Sequence, residues 1–301
     1  MSGGLDQSAS EEAGRVPKIS ELMDAIRQEL WLWAKSGTRQ WRRVEWAERL
    51  PYLSEQSKYR YWLVDRPHYA YGVHRAADGA KRLGYDAVTV VELGVAGGNG
   101  LVALERHAKY LSSRHGLRID VVGFDSGEGM PRPADYRDQP FRWDSGFYQM
   151  DEGALRDRLT SSSLILGDVG TTVPKWVEEN RERLREAPVG FVSFDLDYWS
   201  STMASFELFR LEDSSHLLPR IACWLDDIVF SIPSIGELQA VADFNSEAPS
   251  SRSIGQINGL RAGVPFDPPW ADQLFEAHIF DHQRYSERVE SAPVQLPLKQ
   301  G

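Results

Sequence analysis

The sequence predicts an α/β fold with a doubly wound sheet and an N-terminal helical extension. Three observations carry that expectation. Apolar runs of strand length alternate with amphipathic helical stretches between about residues 85 and 245. One run, Val88 to Val91, opens into a turn holding Gly94, Gly97, Gly98 and Gly100, after which a helical pattern begins near Leu101. Two later runs each end in paired aspartates, Asp195/Asp197 and Asp226/Asp227.

Residues 1–16 are small, polar and acidic, a composition that predicts disorder. From Ile19, the spacing of Leu22, Ile26, Leu30 and Trp33 predicts an amphipathic helix capped by Ser20. Trp31, Trp33, Trp41, Trp46 and Trp62 hold half of the ten tryptophans. Aromatics at that density suit a lid or a contact between copies in a homo-oligomer, and equally a helical layer laid on the sheet. Arg66-Pro-His-Tyr-Ala-Tyr71 leads into a helix through Val73, Ala77 and Ala80, with Gly84 placed as its C-cap.

The expected division is therefore a Trp-rich extension over 17–84, a sheet domain over 85–289 and an unstructured tail from 290. Within the domain the pattern predicts strand 88–92, helix 100–114, strand 119–124, helix 151–160, strand 163–167 and helix 174–186. Strand 189–195, helix 202–210, an insertion over 211–218, strand 220–225, a helix around 235–244 and a strand at 276–282 come next. The intervening stretch 125–150 is a polar, aromatic loop, and loops that long in a compact domain are either functional or disordered.

Composition removes several classes. A formal charge of −10 argues against a general grip on nucleic acid, which needs a basic surface to displace counterions. No apolar stretch approaches the length that spans a bilayer, and the first residues lack the basic start and apolar centre of a signal peptide, so a cytoplasmic location is expected. The single cysteine, Cys223, excludes an intramolecular disulfide, and its apolar surroundings make it a buried small hydrophobe. His-Glu-x-x-His, Gly-x-Ser-x-Gly and a phosphate loop ending in Gly-Lys-Ser/Thr are all absent, which weakens zinc-hydrolase, serine-hydrolase and kinase readings.

The acidic strand ends point to chemistry. In an open α/β sheet, ligands bind outside the carboxyl ends of the strands. Taken singly, each aspartate pair also reads as turn residues or a helix cap. Converging at one edge, four carboxylates would repel one another unless a cation lay between them, and all-oxygen donors suit Mg²⁺ or Ca²⁺. Glu92 lies two residues before the first glycine, while Asp125 and Asp168 end the next two strands. Acids at three successive strand ends around a glycine turn fit a nucleoside cofactor, with Asp125 placed to hold ribose hydroxyls.

Four stretches resemble the class I S-adenosylmethionine-dependent methyltransferases, and within them the metal-dependent sugar O-methyltransferases of the macrocin and mycinamicin type. They are Glu-Leu-Gly-Val-Ala-Gly-Gly-Asn-Gly (92–100), Phe-Asp-Ser-Gly-Glu-Gly-Met-Pro (124–131), Asp-Leu-Asp-Tyr-Trp-Ser-Ser-Thr (195–202) and Leu-Asp-Asp (225–227). The resemblance implies a Rossmann-like sheet and a cofactor site of Glu92, Gly94, Gly97, Gly98, Gly100, Asp125, Ser126 and Asp168. It also implies Mg²⁺ on Asp195, Asp226 and Asp227, with Asp197 as general base, and methylation of a hydroxyl on a small molecule, such as a sugar of a secondary metabolite.

Tyr198-Trp199 is bulkier than the family's usual stretch, which leaves the substrate open. His68, His278 and His282 offer other bases. Two rivals stand beside this reading. A nicotinamide-dependent oxidoreductase would explain the glycine turn and Asp125 but not the later aspartates, and Gly94 to Gly100 do not form Gly-x-Gly-x-x-Gly. A non-catalytic binding protein on the same fold would explain the cofactor site alone.

Overall fold

The computed structural model describes residues 53–60, 62–228, 232–247, 251–260 and 269–288. The chain divides into two compact units, Met1–Lys58 and Tyr59–Gly301, and the second contains the sheet. The expectations for residues 1–16, for the helix from Ile19, for Trp31 to Trp46 and for the tail from 290 lie outside the described residues.

Seven strands form one sheet in the order β3-β2-β1-β4-β5-β7-β6. The central strands β1 (Ala87–Leu93) and β4 (Val189–Phe194) are buried along their whole length. Apolar runs with little polar alternation behave this way because a parallel sheet is covered on both faces. β1 pairs in parallel with β2 (Arg118–Asp125) on one side and β4 on the other. β3 (Ser163–Leu166) and β5 (Leu217–Leu225) extend the parallel sheet outward. β7 (Leu274–Ile279) runs antiparallel between β5 and β6 (Arg252–Gln256). The strand order reverses between β1 and β4, and the crevice above that reversal is where such sheets bind ligands.

Helix α1 (Pro67–Arg82) starts on a proline, whose missing N–H costs nothing in a first turn. Its buried side, Tyr69, Val73, Ala76, Ala77 and Ala80, joins the core with β1 and β4. The helix read from the sequence as the end of an extension is thus built into the unit that holds the sheet. α2 (Asn99–His115) comes after the glycine turn and ends on Gly116 in the left-handed conformation.

Boundaries moved in several places, among them the predicted strand 276–282, which runs instead over Leu274–Ile279. Helix 174–186 is two helices, α4 (Val169–Glu179) and α5 (Arg181–Glu186), after the short α3 (Glu152–Arg158). Pro174 reads as a helix start, but Asp168 caps the chain earlier by accepting from Thr171 N–H. The expected helix 202–210 starts at Trp199 and breaks into α6 (Trp199–Ser205) and α7 (Glu207–Arg210). The stretch read as an insertion contains a 3₁₀ turn, Ser214–His216, and the first residues of β5.

Strand β6 has no counterpart among the predicted strands. Arg-Ser-Ile-Gly-Gln has almost no apolar alternation, and it is held by tertiary partners: Asn245, on α8 (Gly236–Glu247), accepts from Ile254 N–H and donates to the Ile254 carbonyl.

Candidate active site

A cavity of about 630 Å³ opens at the carboxyl edge of β1, β2, β3, β4 and β5. One end is lined by Gly94, Ala96, Asp125, Ser126, Gly167 and Asp168, the other by Asp195, Asp197, Asp226 and Asp227. The folding of the sheet has placed the four aspartates of the second group in one space with Gly94, Asp125, Ser126 and Asp168 of the first, whereas Glu92, Gly97, Gly98 and Gly100 are not among the lining residues.

At the first end, Gly94 has φ +86°, and a Cβ there would fall 1.8 Å from the Asp195 carbonyl oxygen. Any side chain at 94 would push the first acidic strand end away from the second. Gly98 is the left-handed N-cap of α2, and Gly97 has nothing within 4 Å of its virtual Cβ. Gly100 serves Glu92: a Cβ at 100 would meet Glu92 Oε1 at 1.9 Å.

Glu92 is 1% exposed. Its Oε1 accepts from Tyr69 O–H at 2.7 Å, and its Oε2 is buried with no partner among the described residues. Burial pushes its pKa up to about 8, against the opposing Tyr69 hydrogen bond.

Asp125, expected to hold ribose, already accepts three backbone N–H groups: Val95 and Ala96 at 2.9 and 2.8 Å on Oδ2, and Gly127 at 2.7 Å on Oδ1. It ties the glycine turn to the end of β2, and its Oδ1 keeps a second lone pair for a ligand. Ser126 donates to the Gly129 carbonyl and Asp168 caps α4, so both do local structural work at the cavity wall.

At the second end, carboxylate oxygens of Asp195, Asp197 and Asp227 lie within 4.8 Å of one another. The expectation that Asp197 lies on the side of Asp195 because the strand continues is replaced by another route. β4 stops at Phe194, and Asp197 takes φ +57° in a tight turn in which Tyr198 N–H donates to the Leu196 carbonyl at 2.5 Å. Such a positive-φ three-residue turn is rare and strained, and strain of this kind concentrates at functional sites. Asp226 lines the same cavity but stands outside the three-carboxylate cluster, and its Oδ1 accepts from Trp224 Nε1–H at 3.1 Å.

The cluster is electrostatically frustrated as it stands. Burial and then the charges of Asp226 and Asp197 push Asp195 up to about 8. Burial and then Asp197 and Asp195 push Asp227 up to about 9, and Asp227 Oδ2 is buried with no partner among the described residues. Like charges that cannot all ionise hold protons until a cation replaces them. Three converging oxygen donors and an orphaned buried oxygen fit a hard divalent ion.

Glu237, which sequence reasoning missed, lies behind the cluster. It is fully buried and accepts from Leu196 N–H at 3.4 Å and Asp227 N–H at 3.1 Å, joining the two acidic loops through one side chain. Burial and the neighbouring Asp227 charge raise its pKa well above the usual range. An acid in the first turn of α8 looks in sequence like an ordinary partner of the helix dipole.

The strand register removes two histidines from the chemistry. His278 pairs with Arg220 near the start of β5, whereas Leu274 pairs with Trp224 beside the acids. His278 is held by Tyr285 and Glu276, and His282 accepts from Arg284 N–H. His68 stacks on Trp224 with ring centroids 3.8 Å apart, and burial lowers its pKa well below the usual value.

The bulky Tyr198-Trp199 pair anchors the 125–150 loop. Tyr198 O–H donates to the Pro131 carbonyl, and Trp199 Nε1–H donates to Asp243. The Arg137 guanidinium lies 3.2 Å from the centroid of a Trp199 ring. Buried Asp138 accepts from Ser200 N–H and Oγ–H and from Ala134 N–H. The loop so held puts Met130, Pro131 and the half-exposed Tyr148 on the cavity rim.

No family model and no curated protein matches this sequence. Among solved structures the chain is similar to CalS11, a calicheamicin methyltransferase, at 19% identity and a TM-score of 0.50, over 93% of this chain and 99% of that one. Apo CalS11, described as a TDP-rhamnose 3′-O-methyltransferase of calicheamicin biosynthesis, matches at 17% identity and a TM-score of 0.44, over 88% and 97% of the two chains. The O-methyltransferase TomG from Streptomyces achromogenes, involved in tomaymycin synthesis and solved with SAM, matches at 14% and 0.38, over 83% and 94%. The likeness to the first of these, with the strand order above, gives this chain the Rossmann-like fold of the class I methyltransferases. The antiparallel β7 inserted before the edge strand also separates it from the parallel 3-2-1-4-5-6 sheet of nicotinamide-binding domains.

Proposed function

We propose that the protein is an S-adenosylmethionine-dependent O-methyltransferase that uses a divalent cation, Mg²⁺ by preference, and acts on a hydroxyl of a small molecule, a sugar being one fitting class. One observation carries the proposal. Gly94 and Ala96 of the glycine turn, with Asp125 and Asp168, line the same cavity as the Asp195/Asp197/Asp227 cluster. A nucleoside site alone would not require the second group, and a metal site alone would not require the first.

When bound, the cofactor would supply a methyl group on a good leaving group, and the cation would make a nearby hydroxyl more acidic. The chain's own residues have three tasks. Glu92, Asp125 and the glycine backbone position the cofactor. Asp195 and Asp227 hold the cation, with Glu237 fixing their loops. Asp197, the third carboxylate, accepts the hydroxyl proton, and the rim of Met130, Pro131 and Tyr148 shields the reaction from water. Asp226, with one oxygen engaged by Trp224, is given a supporting part.

Calorimetry with S-adenosylhomocysteine, S-adenosylmethionine and NAD, each with and without Mg²⁺, tests the reading. Binding of the first two, with NAD inert, is the expected outcome. Binding of NAD alone would overturn it, and full turnover in chelator would remove the metal. In Asp125→Ala, affinity for S-adenosylhomocysteine should weaken by about 1.5–3 kcal/mol, the scale of a lost charge-assisted contact.

A further inference from the structure

Tyr148 is the one aromatic ring among the described residues that line the cavity. It is 53% exposed, and its backbone is left-handed at φ +59°. That conformation is costly for a bulky residue, and such strain collects where ligands are held. Two hydrogen bonds close the chain around it: Met130 N–H donates to the Phe147 carbonyl and Gly146 N–H to the Met130 carbonyl, both at 2.8 Å. Gly129, at φ +83°, permits that approach, since a Cβ there would fall 2.5 Å from the Phe147 carbonyl oxygen. The rings of Trp143 and Phe147 brace Tyr148 at interplanar angles of 62° and 86°, with centroids 5.9 and 6.4 Å away. The Tyr198–Pro131 and Asp138–Ser200 bonds tie the same loop to the residues that follow the Asp197 turn.

A ring held this firmly and still half uncovered does not serve the core. Burial, and then the charges of Asp197, Asp227 and Asp195, raise the pKa of its hydroxyl, so Tyr148 stands in the field of the carboxylate cluster and faces that end of the cavity. An aromatic ring presents a broad apolar face of negative potential, which suits the weakly positive C–H bonds of a saturated ring. Ionised carboxylates only accept hydrogen bonds, so several of them side by side call for several O–H donors. A polyhydroxylated saturated ring supplies both, with C–H bonds on its face and hydroxyls around its rim. A phenol or a catechol supplies a face but only one or two donors.

We propose that Tyr148 orients the methyl acceptor: its ring packs on the C–H face of a polyhydroxylated saturated ring and turns one rim hydroxyl toward Asp197. This rests on the methyltransferase reading above and adds to it a residue that selects the acceptor.

The test uses protein loaded with S-adenosylhomocysteine and Mg²⁺. The probes are methyl glycosides of common hexoses and 6-deoxyhexoses, with catechol as the flat comparison. Saturation-transfer NMR should show at least one glycoside bound, the C–H protons of one ring face receiving most of the saturation. Tyr148→Asn removes the ring while tolerating the left-handed backbone. It should weaken that glycoside about 10-fold, the scale of one aromatic contact. Calorimetry should give it the wild-type affinity for S-adenosylhomocysteine, which also reports that the variant is folded. Tyr148→Gly, free of strain at that backbone, supplies the same reading should Tyr148→Asn not fold. Tyr148→Phe should bind the glycoside as wild type does, because the face makes the contact and the hydroxyl does not. Unweakened glycoside binding without the ring, an equal loss in Tyr148→Phe, catechol bound in place of every glycoside, or no probe bound at all would each overturn the proposal. Failure of wild type to take up S-adenosylhomocysteine would instead overturn the methyltransferase reading beneath it.

Discussion

Two buried acidic regions of this molecule behave in opposite ways. Glu105, on α2, is 5% exposed and accepts hydrogen bonds from the backbone N–H groups of Thr160, Ser161 and Ser162, the hydroxyls of Thr160 and Ser162, and Lys109. Burial alone would raise its pKa, but Lys109, Thr160, Ser162 and Ser161 reverse the sign and hold it well below the usual carboxylate range. Around β1, β4 and β5, burial is met by few donors, so Glu92, Asp195 and Asp227 are pushed up to about 8, 8 and 9. Burial is common to both regions. What differs is satisfaction: the first carboxylate has its partners within the chain, whereas Glu92 Oε2 and Asp227 Oδ2 have none among the described residues.

That contrast can be broken at several points. The largest effect should come from Asp195→Asn or Asp227→Asn. Each should lower turnover by about 10²–10⁴-fold and weaken Mg²⁺ binding in calorimetry, with little loss of melting temperature. A variant that binds Mg²⁺ normally would take that residue out of the metal site. Asp197→Asn sharpens the same point, because retained metal affinity with slow turnover makes it the base, whereas lost affinity makes it a ligand.

Glu105→Ala should do the reverse. Stability should fall by about 2–4 kcal/mol in denaturant titrations, since several donors lose one shared anion. Affinity for S-adenosylhomocysteine in the folded fraction should stay as in wild type. If ligand binding fell and stability did not, the division between the two regions would be wrong.

Glu237→Gln lies between these cases. Removing the carboxylate that joins Leu196 and Asp227 should cost about 10–100-fold in Mg²⁺ affinity, the usual scale for groups supporting metal ligands. Unaltered affinity would reduce Glu237 to a packing residue.

The smallest effect is in pH dependence, and its sign differs between the regions. Asp195 and Asp227 have folded pKa values above their unfolded ones, so the native protein binds more protons from roughly pH 4 upward. The stability they contribute is present below about pH 4 and is lost as pH rises through about 8 to 9. Mg²⁺ should therefore raise the melting temperature more at about pH 9 than at about pH 6, because it no longer has to displace protons. Glu105 has a lowered folded pKa, so its contribution is present above the unfolded carboxylate value and lost in acid. The stability gap between wild type and Glu105→Ala should close as pH falls below about 4. A Mg²⁺ effect independent of pH would show that the cluster holds no protons to release.

Much of the molecule was legible from its residues. The Val88–Val91 run, the glycine turn and the two paired-aspartate runs are local signals, because strand burial and glycine's backbone freedom act at the positions that encode them. The order of alternating elements was therefore readable in the residues, as were the acids that face the cavity. Tertiary structure decided what depends on neighbours distant in sequence. Arg-Ser-Ile-Gly-Gln became a strand only because Asn245 and β7 lie beside it. Asp197, not Asp226, joined Asp195 and Asp227 because a strained turn carries it there. His278 and His282 left the site because β7 runs antiparallel, which carries its C-terminal residues toward the start of β5. Glu237 carries no signature at all, since an acid in a first turn is common, and only the fold sets it against Leu196 and Asp227. The residues alone determine which groups are present and what each strand must bury. The distances between those groups come from the packing of the whole sheet, and the chemistry of charge depends on distance and burial.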